Sequence, residues 1–203
     1  LSTAHDPRFR GGDTLPMTQL QVKVIRKRQE AEGICSFELA RTDGGALPAF
    51  GAGSHIDVQV PGGITRQYSL CNDSSARNVY RIAVLRDANS RGGSAAMHER
   101  LNEGDVLTIS EPRNHFALVH AVRTMLFAGG IGITPLLCMA QRLAAVGADF
   151  DLHYCTRSKA KTAFAGEIAA SPFAPRVHYH FDDGAEEQKL QLARLLNEVE
   201  PQT

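Results

Sequence analysis

The sequence predicts a β barrel followed by an α/β doubly wound parallel sheet. Three observations carry that prediction. Short β-like runs recur at regular intervals up to about Leu118, strand alternates with helix after His120, and a glycine-rich turn joins the first strand and helix of that second half. At 203 residues the chain can bury a sizeable core, and its length fits two small domains.

The β-like runs are Leu20–Arg26, Ile34–Ala40, His55–Val60, Gln67–Leu70, Val79–Arg86 and Val106–Ser110. Asp43-Gly44-Gly45, Pro61-Gly62-Gly63 and Glu103-Gly104-Asp105 punctuate them, which is how a barrel or sandwich reads. One short helix, Ser94–Leu101, interrupts the series, with Ser94 as its cap. Beyond His120, Arg123–Ala128 is an apolar strand. Thr134 and Pro135 suit the N-cap and first residue of a helix ending before Gly147, with Leu136, Ala140, Leu143 and Ala144 on one face. Phe150–Cys155 is the next strand, Ala163–Ala170 a short helix, Arg176–Phe181 a strand and Gln188–Val199 a helix. This alternation is the pattern of a parallel, doubly wound sheet.

Twenty-two basic residues balance twenty-two acidic ones, so no net field recruits nucleic acid or anionic lipid. The longest apolar run, Met125–Ala140, is broken by glycines, Thr134 and Pro135, and predicts no membrane span. Cys35, Cys71, Cys138 and Cys155 are scattered, without the spacing of a zinc or iron–sulfur site. They read as reduced, mostly buried thiols of a cytoplasmic protein. Residues 1–16, rich in Gly, Pro and Arg, are expected to be a disordered leader or an appended tag, with Met17 as a native start.

Two runs carry chemistry. In Arg66-Gln67-Tyr68-Ser69-Leu70 an aromatic and a hydroxyl follow an arginine on one strand. Together they can offer a stacking face, a hydrogen-bond donor and a phosphate partner, as a bound flavin requires. Tyr68 and Ser69 point to opposite faces of a regular strand, so a bend is needed for both to touch one ring. The plainer reading is a half-buried strand tyrosine beside a solvated arginine. Arg91-Gly92-Gly93-Ser94 opens the short helix. Its glycines permit close backbone approach and its free N–H groups and arginine suit an anion, although a glycine turn with a serine cap has the same sequence.

Phe127-Ala128-Gly129-Gly130-Ile131-Gly132-Ile133-Thr134-Pro135 runs from strand through a glycine turn to a helix start, an arrangement that accepts a pyrophosphate. Pro135 stands where a dinucleotide fingerprint has its third glycine, and no Gly-Lys-Ser/Thr follows, so neither the usual Rossmann turn nor a P-loop fits. The alternative is a tight turn that needs small residues for packing. Thr156-Arg157-Ser158 falls where an adenosine ribose sits. Arg157 can meet a 2′-phosphate, the pyrophosphate or solvent, which leaves NAD and NADP both open. Asp182-Asp183-Gly184 reads as an acidic turn that can border the adenine. His153, His178 and His180 read as solvated strand histidines rather than a metal site. His115 can approach the flavin or sit as a loop residue at the barrel rim, and Cys71 can tune access to the flavin, although a small buried thiol is the commoner explanation.

With both runs in hand, the chain resembles the flavin reductases of the ferredoxin-reductase superfamily, and within it the phthalate dioxygenase reductase and vanillate demethylase reductase group. The matching residues are Arg66-Gln67-Tyr68-Ser69-Leu70-Cys71-Asn72, Gly92-Gly93-Ser94, Pro112-Arg113-Asn114-His115-Phe116 and Gly129 through Pro135. The resemblance covers residues 19 to about 200. It implies a flavin-binding Greek-key barrel over residues 17–120 and an NAD-binding α/β domain over 121–203.

It also implies FMN, with FAD as the alternative, contacted by Arg66, Gln67, Tyr68 and Ser69. Ser69 is the catalytic candidate, its hydroxyl near N5. Val84, Arg86, Arg91, Gly92, Gly93 and Ser94 are assigned to the same cofactor. Gly130, Ile131, Gly132 and Thr134 would bind NADH, with Thr156 and Arg157 toward its adenosine half. Electrons would pass from NADH through FMN to an iron–sulfur acceptor and on to a terminal aromatic-ring oxygenase or demethylase, the chain being a monomer. Relatives add a last strand leading into Cys-Gly-Pro and a [2Fe-2S] domain with four cysteines. Neither occurs in these 203 residues, so the nucleotide domain is expected to be incomplete. The rival readings are an FAD-dependent reductase with another acceptor and a non-catalytic flavin-binding electron-transfer subunit.

Overall fold

The computed structural model describes residues 19–87, 89 and 92–198. The expected leader at 1–16, the start at Met17, Arg91 and Val199 at the end of the last helix lie outside them.

Six strands form one antiparallel sheet: β1 (Gln19–Ala31), β2 (Ile34–Arg41), β3 (His55–Val60), β4 (Ile64–Ser69), β5 (Tyr80–Leu85) and β6 (Val106–Ser110). Their order is β4-β3-β6-β1-β2-β5. The sheet curls until its edges meet, where the Cys71 N–H donates to the Arg81 carbonyl across 2.8 Å. Alternation explains the filling: Cys35, Phe37 and Leu39 of β2 and Ile82 and Val84 of β5 face the barrel interior with Ile56, Val58 and Ile109. Each fully buried Leu, Ile or Phe there contributes about 1.5–3 kcal/mol of apolar burial. Helix α1 (Gly93–Glu99) adds Met97 to the same interior.

Two strands outrun their sequence patterns. β1 continues to Ala31 through Arg26-Lys27-Arg28-Gln29-Glu30, which lacks apolar alternation, because this stretch pairs with β2 between two register shifts. The Lys27 ammonium there donates to the carbonyls of His98 and Leu101 at 2.6 and 2.8 Å. β4 starts at Ile64, directly after a turn in which Gly62 and Gly63 take φ of 104° and 82°.

The second sheet has three parallel strands in the order β7-β8-β9: β7 (Arg123–Gly129), β8 (Asp149–Thr156) and β9 (Val177–Phe181). Helices α2 (Ile133–Ala145) and α3 (Ala165–Ala169) connect them, and α4 (Leu192–Glu198) follows a 3-10 turn at Glu186–Gln188, so the last helix starts later than expected. Leu136, Ala140 and Leu143 of α2 bury against Leu126, Phe150, Leu152 and Tyr154. This core continues into Ile34, Cys71 and Ala83 on the outer wall of the barrel. That explains the apolar run in β5: Ile82 and Val84 face inward, while Ala83 faces the second unit.

Two expected caps are corrected. Gly92, at φ 95°, is the N-cap of α1. Ser94 lies inside the helix, where its Oγ accepts the Asp87 N–H at 3.1 Å. Thr134 is likewise no cap, because a 3-10 turn over Gly130–Gly132 brings the chain into α2 two residues earlier, at Ile133 with Gly132 as N-cap. Its Oγ donates instead to the Ile131 carbonyl at 3.0 Å. Pro135 remains in the first helical turn, where its missing N–H leaves no bond unmade.

Candidate functional site

Arg66 and Tyr68 leave β4 on one face, and Gln67 and Ser69 on the other. The β3–β4 register runs without a shift from Val60 opposite Ile64 to His55 opposite Ser69. A ring touching both Tyr68 and Ser69 must therefore lie across the end of the strand. Tyr68 is half-buried against the barrel core, and burial pushes its phenol up, so it is a neutral hydroxyl. Ser69 is half-buried and faces His55 across the ladder; His55 in turn meets His115 edge-on at 5.4 Å. Gln67 is exposed.

Arg66 reaches the start of α1. Its Nε lies 3.2 Å from where a Cβ on Gly93 would stand, so a side chain there would displace the guanidinium. Charge, a left-handed glycine and the start of a helix are thus gathered at one place. Arg86 is exposed and donates to Glu99 at 2.7 Å. Val84 has its side chain in the barrel core and its carbonyl accepts a hydrogen bond from the His98 ring at 2.8 Å.

In the second unit, Gly130 takes φ 50° and opens the 3-10 turn at the carboxyl end of β7. Thr134 is buried and braces that turn. At the end of β8, Thr156 Oγ donates to the Ser158 carbonyl at 3.1 Å and shares a 2.8 Å hydrogen bond with Thr162 Oγ. The following loop is therefore folded over its own hydroxyls, and Arg157 is left exposed. The acidic turn joins it: the N–H groups of Asp182 and Asp183 donate to the Thr156 and Arg157 carbonyls at 3.0 and 3.1 Å.

The two halves meet in a cleft of about 500 Å³. Arg86, from the barrel, lines it together with Gly130, Ile131, Thr156 and Arg157, from the second sheet. Lys161 adds a cation, and Glu32 and Asp87 supply opposing charge. Arg66, Tyr68, Ser69 and the Gly92 turn do not line this cleft.

The three strand histidines are not solvated as a group, contrary to the sequence reading. His153 is 4% exposed and stacks on Phe127, His178 and His180 at centroid distances of 5.1, 4.8 and 5.3 Å. Parallel register across β7, β8 and β9 forces this, because Phe127, His153 and His178 are cross-strand neighbours. His153 Nδ1 and His180 Nε2 share a 3.0 Å hydrogen bond, and among the described residues no group of three or more His, Cys, Asp or Glu could hold a metal ion.

No family model matches the chain. Curated proteins do: it is 52% identical over 178 residues to the vanillate O-demethylase oxidoreductase of Pseudomonas sp. strain HR199, across 87% of this chain and 56% of the relative. It is 46% identical over 167 residues to the phthalate dioxygenase reductase of Burkholderia cepacia, across 81% and 52%. Among solved structures, a phthalate dioxygenase reductase described as modular, for electron transfer from pyridine nucleotides to [2Fe-2S], superposes with a TM-score of 0.85 at 43% identity, over 90% of this chain and 58% of that one. The chain belongs to the phthalate dioxygenase reductase and vanillate demethylase reductase family. It spans a little over half the length of these family members.

The barrel and three-stranded parallel sheet are thus the family's architecture. Sequence reasoning missed the residues that join its two units. At Gly53, φ is 92° and a Cβ would stand 1.8 Å from the Phe116 carbonyl oxygen and 2.8 Å from Met139 Cε, so loop, linker and α2 touch at a residue without a side chain. Arg81 forms a bidentate pair with Glu167 at 2.6 and 2.8 Å across the same junction. Cys71, beside Arg81, is fully buried, and desolvation pushes its thiol up to about 12. No local pattern announces such contacts. The one available signal was an arginine within an otherwise apolar strand.

Proposed function

We propose that this chain is the flavin- and nicotinamide-binding part of an oxygenase reductase that passes electrons from NADH through FMN to an iron–sulfur centre, and on to a terminal aromatic-ring oxygenase or demethylase. The carrying observation is the shared cleft, in which Arg86 faces Gly130, Ile131, Thr156 and Arg157. The domains would divide near residue 120, with FMN on the 17–120 side and NADH on the 121–203 side. The names of the relatives, a demethylase oxidoreductase and a dioxygenase reductase, support the acceptor class.

The residues fit an FMN. Gly93 leaves a space beside Arg66 that a Cβ would fill, and the donors there suit a phosphate. Tyr68 would stack on the ring and Ser69 donate to it from the strand end, with Arg66, Arg91, Gly92, Gly93 and Ser94 about the phosphate. When bound, the flavin would supply a two-electron acceptor that hands electrons on singly. Gly130, Ile131 and Gly132 would lie along the pyrophosphate, Thr134 would brace their turn, and Thr156 and Arg157 would meet the adenosine half. No side chain is asked to act as acid or base; the residues orient two rings and shield them from water.

Denaturing the purified protein and weighing the released cofactor distinguishes FMN from FAD. Anaerobic titration with NADH and, separately, NADPH then reads flavin bleaching. A protein that binds neither flavin overturns the proposal, and one that binds flavin but is bleached by neither nucleotide is a binding subunit instead.

A further inference from the structure

Arg81 stands on the outer face of β5, the same face as Ala83, and points at the second unit. Only 15% of its side chain is exposed. Nη1 and Nη2 donate to the two carboxylate oxygens of Glu167 in α3 at 2.6 and 2.8 Å, and Nη2 also donates to the Cys71 carbonyl at 3.2 Å. The guanidinium lies 5.1 Å from the ring centroid of Phe164. Gln141 of α2 donates to the same Glu167 at 3.2 Å.

Phe164 is the only non-glycine residue with positive φ among the described residues, at 61°. It is 2% exposed and is the N-cap of α3. A bulky residue held left-handed persists only where its surroundings over-determine it, and here Arg81 lies over its ring while gripping Glu167 one turn onward. The segment that ends at Phe164 begins at Thr156 and Arg157. A second contact ties its middle to the barrel: the Glu32 N–H, at the β1–β2 turn, donates to the Ala160 carbonyl at 2.8 Å. The loop is therefore bound to the barrel at two points.

We propose that Arg81 is a positioning residue that pins the Thr156–Phe164 loop to the barrel. Resting on the reading of that loop as the adenosine site, it thereby sets how a nicotinamide cofactor reaches the flavin. Arg81 touches neither proposed cofactor contact. Its planar, two-pronged donor set spans Glu167, Cys71 and the Phe164 face at once, which a lysine cannot do.

The test compares wild type with Arg81→Met, Arg81→Lys and Glu167→Gln by amide hydrogen exchange, together with the rate of flavin reduction by NADH. Exchange at Ala163–Ile168 is expected to accelerate at least tenfold in Arg81→Met and Glu167→Gln, with strands β1–β6 unchanged and Arg81→Lys between. The NADH dissociation constant should rise about tenfold or the reduction rate fall as much, with flavin affinity retained. Exchange at Ala163–Ile168 within twofold of wild type in both variants overturns the pinning. So does acceleration that spreads equally through the barrel in both, which would make Arg81 a general stabiliser. Local acceleration with unchanged NADH binding and reduction overturns the functional half. A wild type that NADH does not reduce defeats the oxidoreductase reading instead, and exchange still decides the pinning by itself.

Discussion

Arg66 lies along Gly93, its Nε 3.2 Å from where that residue's Cβ would stand. A strand from one part of the barrel thus delivers a fixed charge to a helix start supplied by another. We expect Gly93→Val to weaken FMN binding roughly tenfold, about 1.4 kcal/mol, by displacing the guanidinium. Arg66→Ala should cost about 2 kcal/mol, the value of a charge-assisted hydrogen bond. Equilibrium flavin titration by fluorescence quenching measures both, and unchanged affinity in Arg66→Ala would remove the phosphate role.

Ser69→Ala separates binding from chemistry. The hydroxyl ends β4 opposite His55 and belongs to no buried network, so its loss should leave folding unchanged and weaken flavin binding by no more than about fivefold, the worth of one neutral hydrogen bond. One hydrogen bond lost near the reacting centre slows reduction by roughly tenfold. Anaerobic stopped-flow absorbance gives the rate, and a wild-type rate in Ser69→Ala would end its candidacy as the catalytic residue.

Gly53→Ala should be severely destabilising. The new Cβ would meet the Phe116 carbonyl oxygen at 1.8 Å, a backbone atom that cannot swing away, and φ 92° adds strain. A loss of about 3 kcal/mol or more is expected in urea unfolding. Gly44→Ala, with positive φ but nothing within 4 Å, serves as the comparison and should cost about 1 kcal/mol.

Stability should fall as the solution is acidified through the histidine range. His153 is held below its ordinary value of 6.5 by burial and then by the neighbouring His178 and His180 charges. His55 is lowered by burial, then by Arg113 and His115. Each binds a proton less readily folded than unfolded, so its contribution is complete above about 6.5 and is lost as pH drops toward the folded value. The slope is at most about 1.4 kcal/mol per pH unit for each such histidine. Urea midpoints between about pH 7.5 and 5 measure it, and His153→Phe should flatten the curve. A midpoint that rises on acidification would contradict the sign.

The sequence by itself determined both architectures, because each rests on a local period. Alternation in His55–Val60 and Val106–Ser110 gave those strands to the residue, and the Phe127–Pro135 turn gave the strand-to-helix passage. The Arg66, Gly93 and Thr156 clusters were legible for the same reason, since each is a short run whose chemistry lies in its own residues. Caps were misread at Ser94 and Thr134, where a hydroxyl had a better partner in Asp87 or Ile131 than in the helix end.

Only the tertiary structure decided what lies between the runs. The histidine stack depends on the register of three parallel strands, which residue spacing within any one of them does not encode. Arg81 and Glu167 are 86 residues apart in the chain. Their pairing exists because the outer wall of a closed barrel meets α3, a contact made by packing two units whose own patterns each point inward.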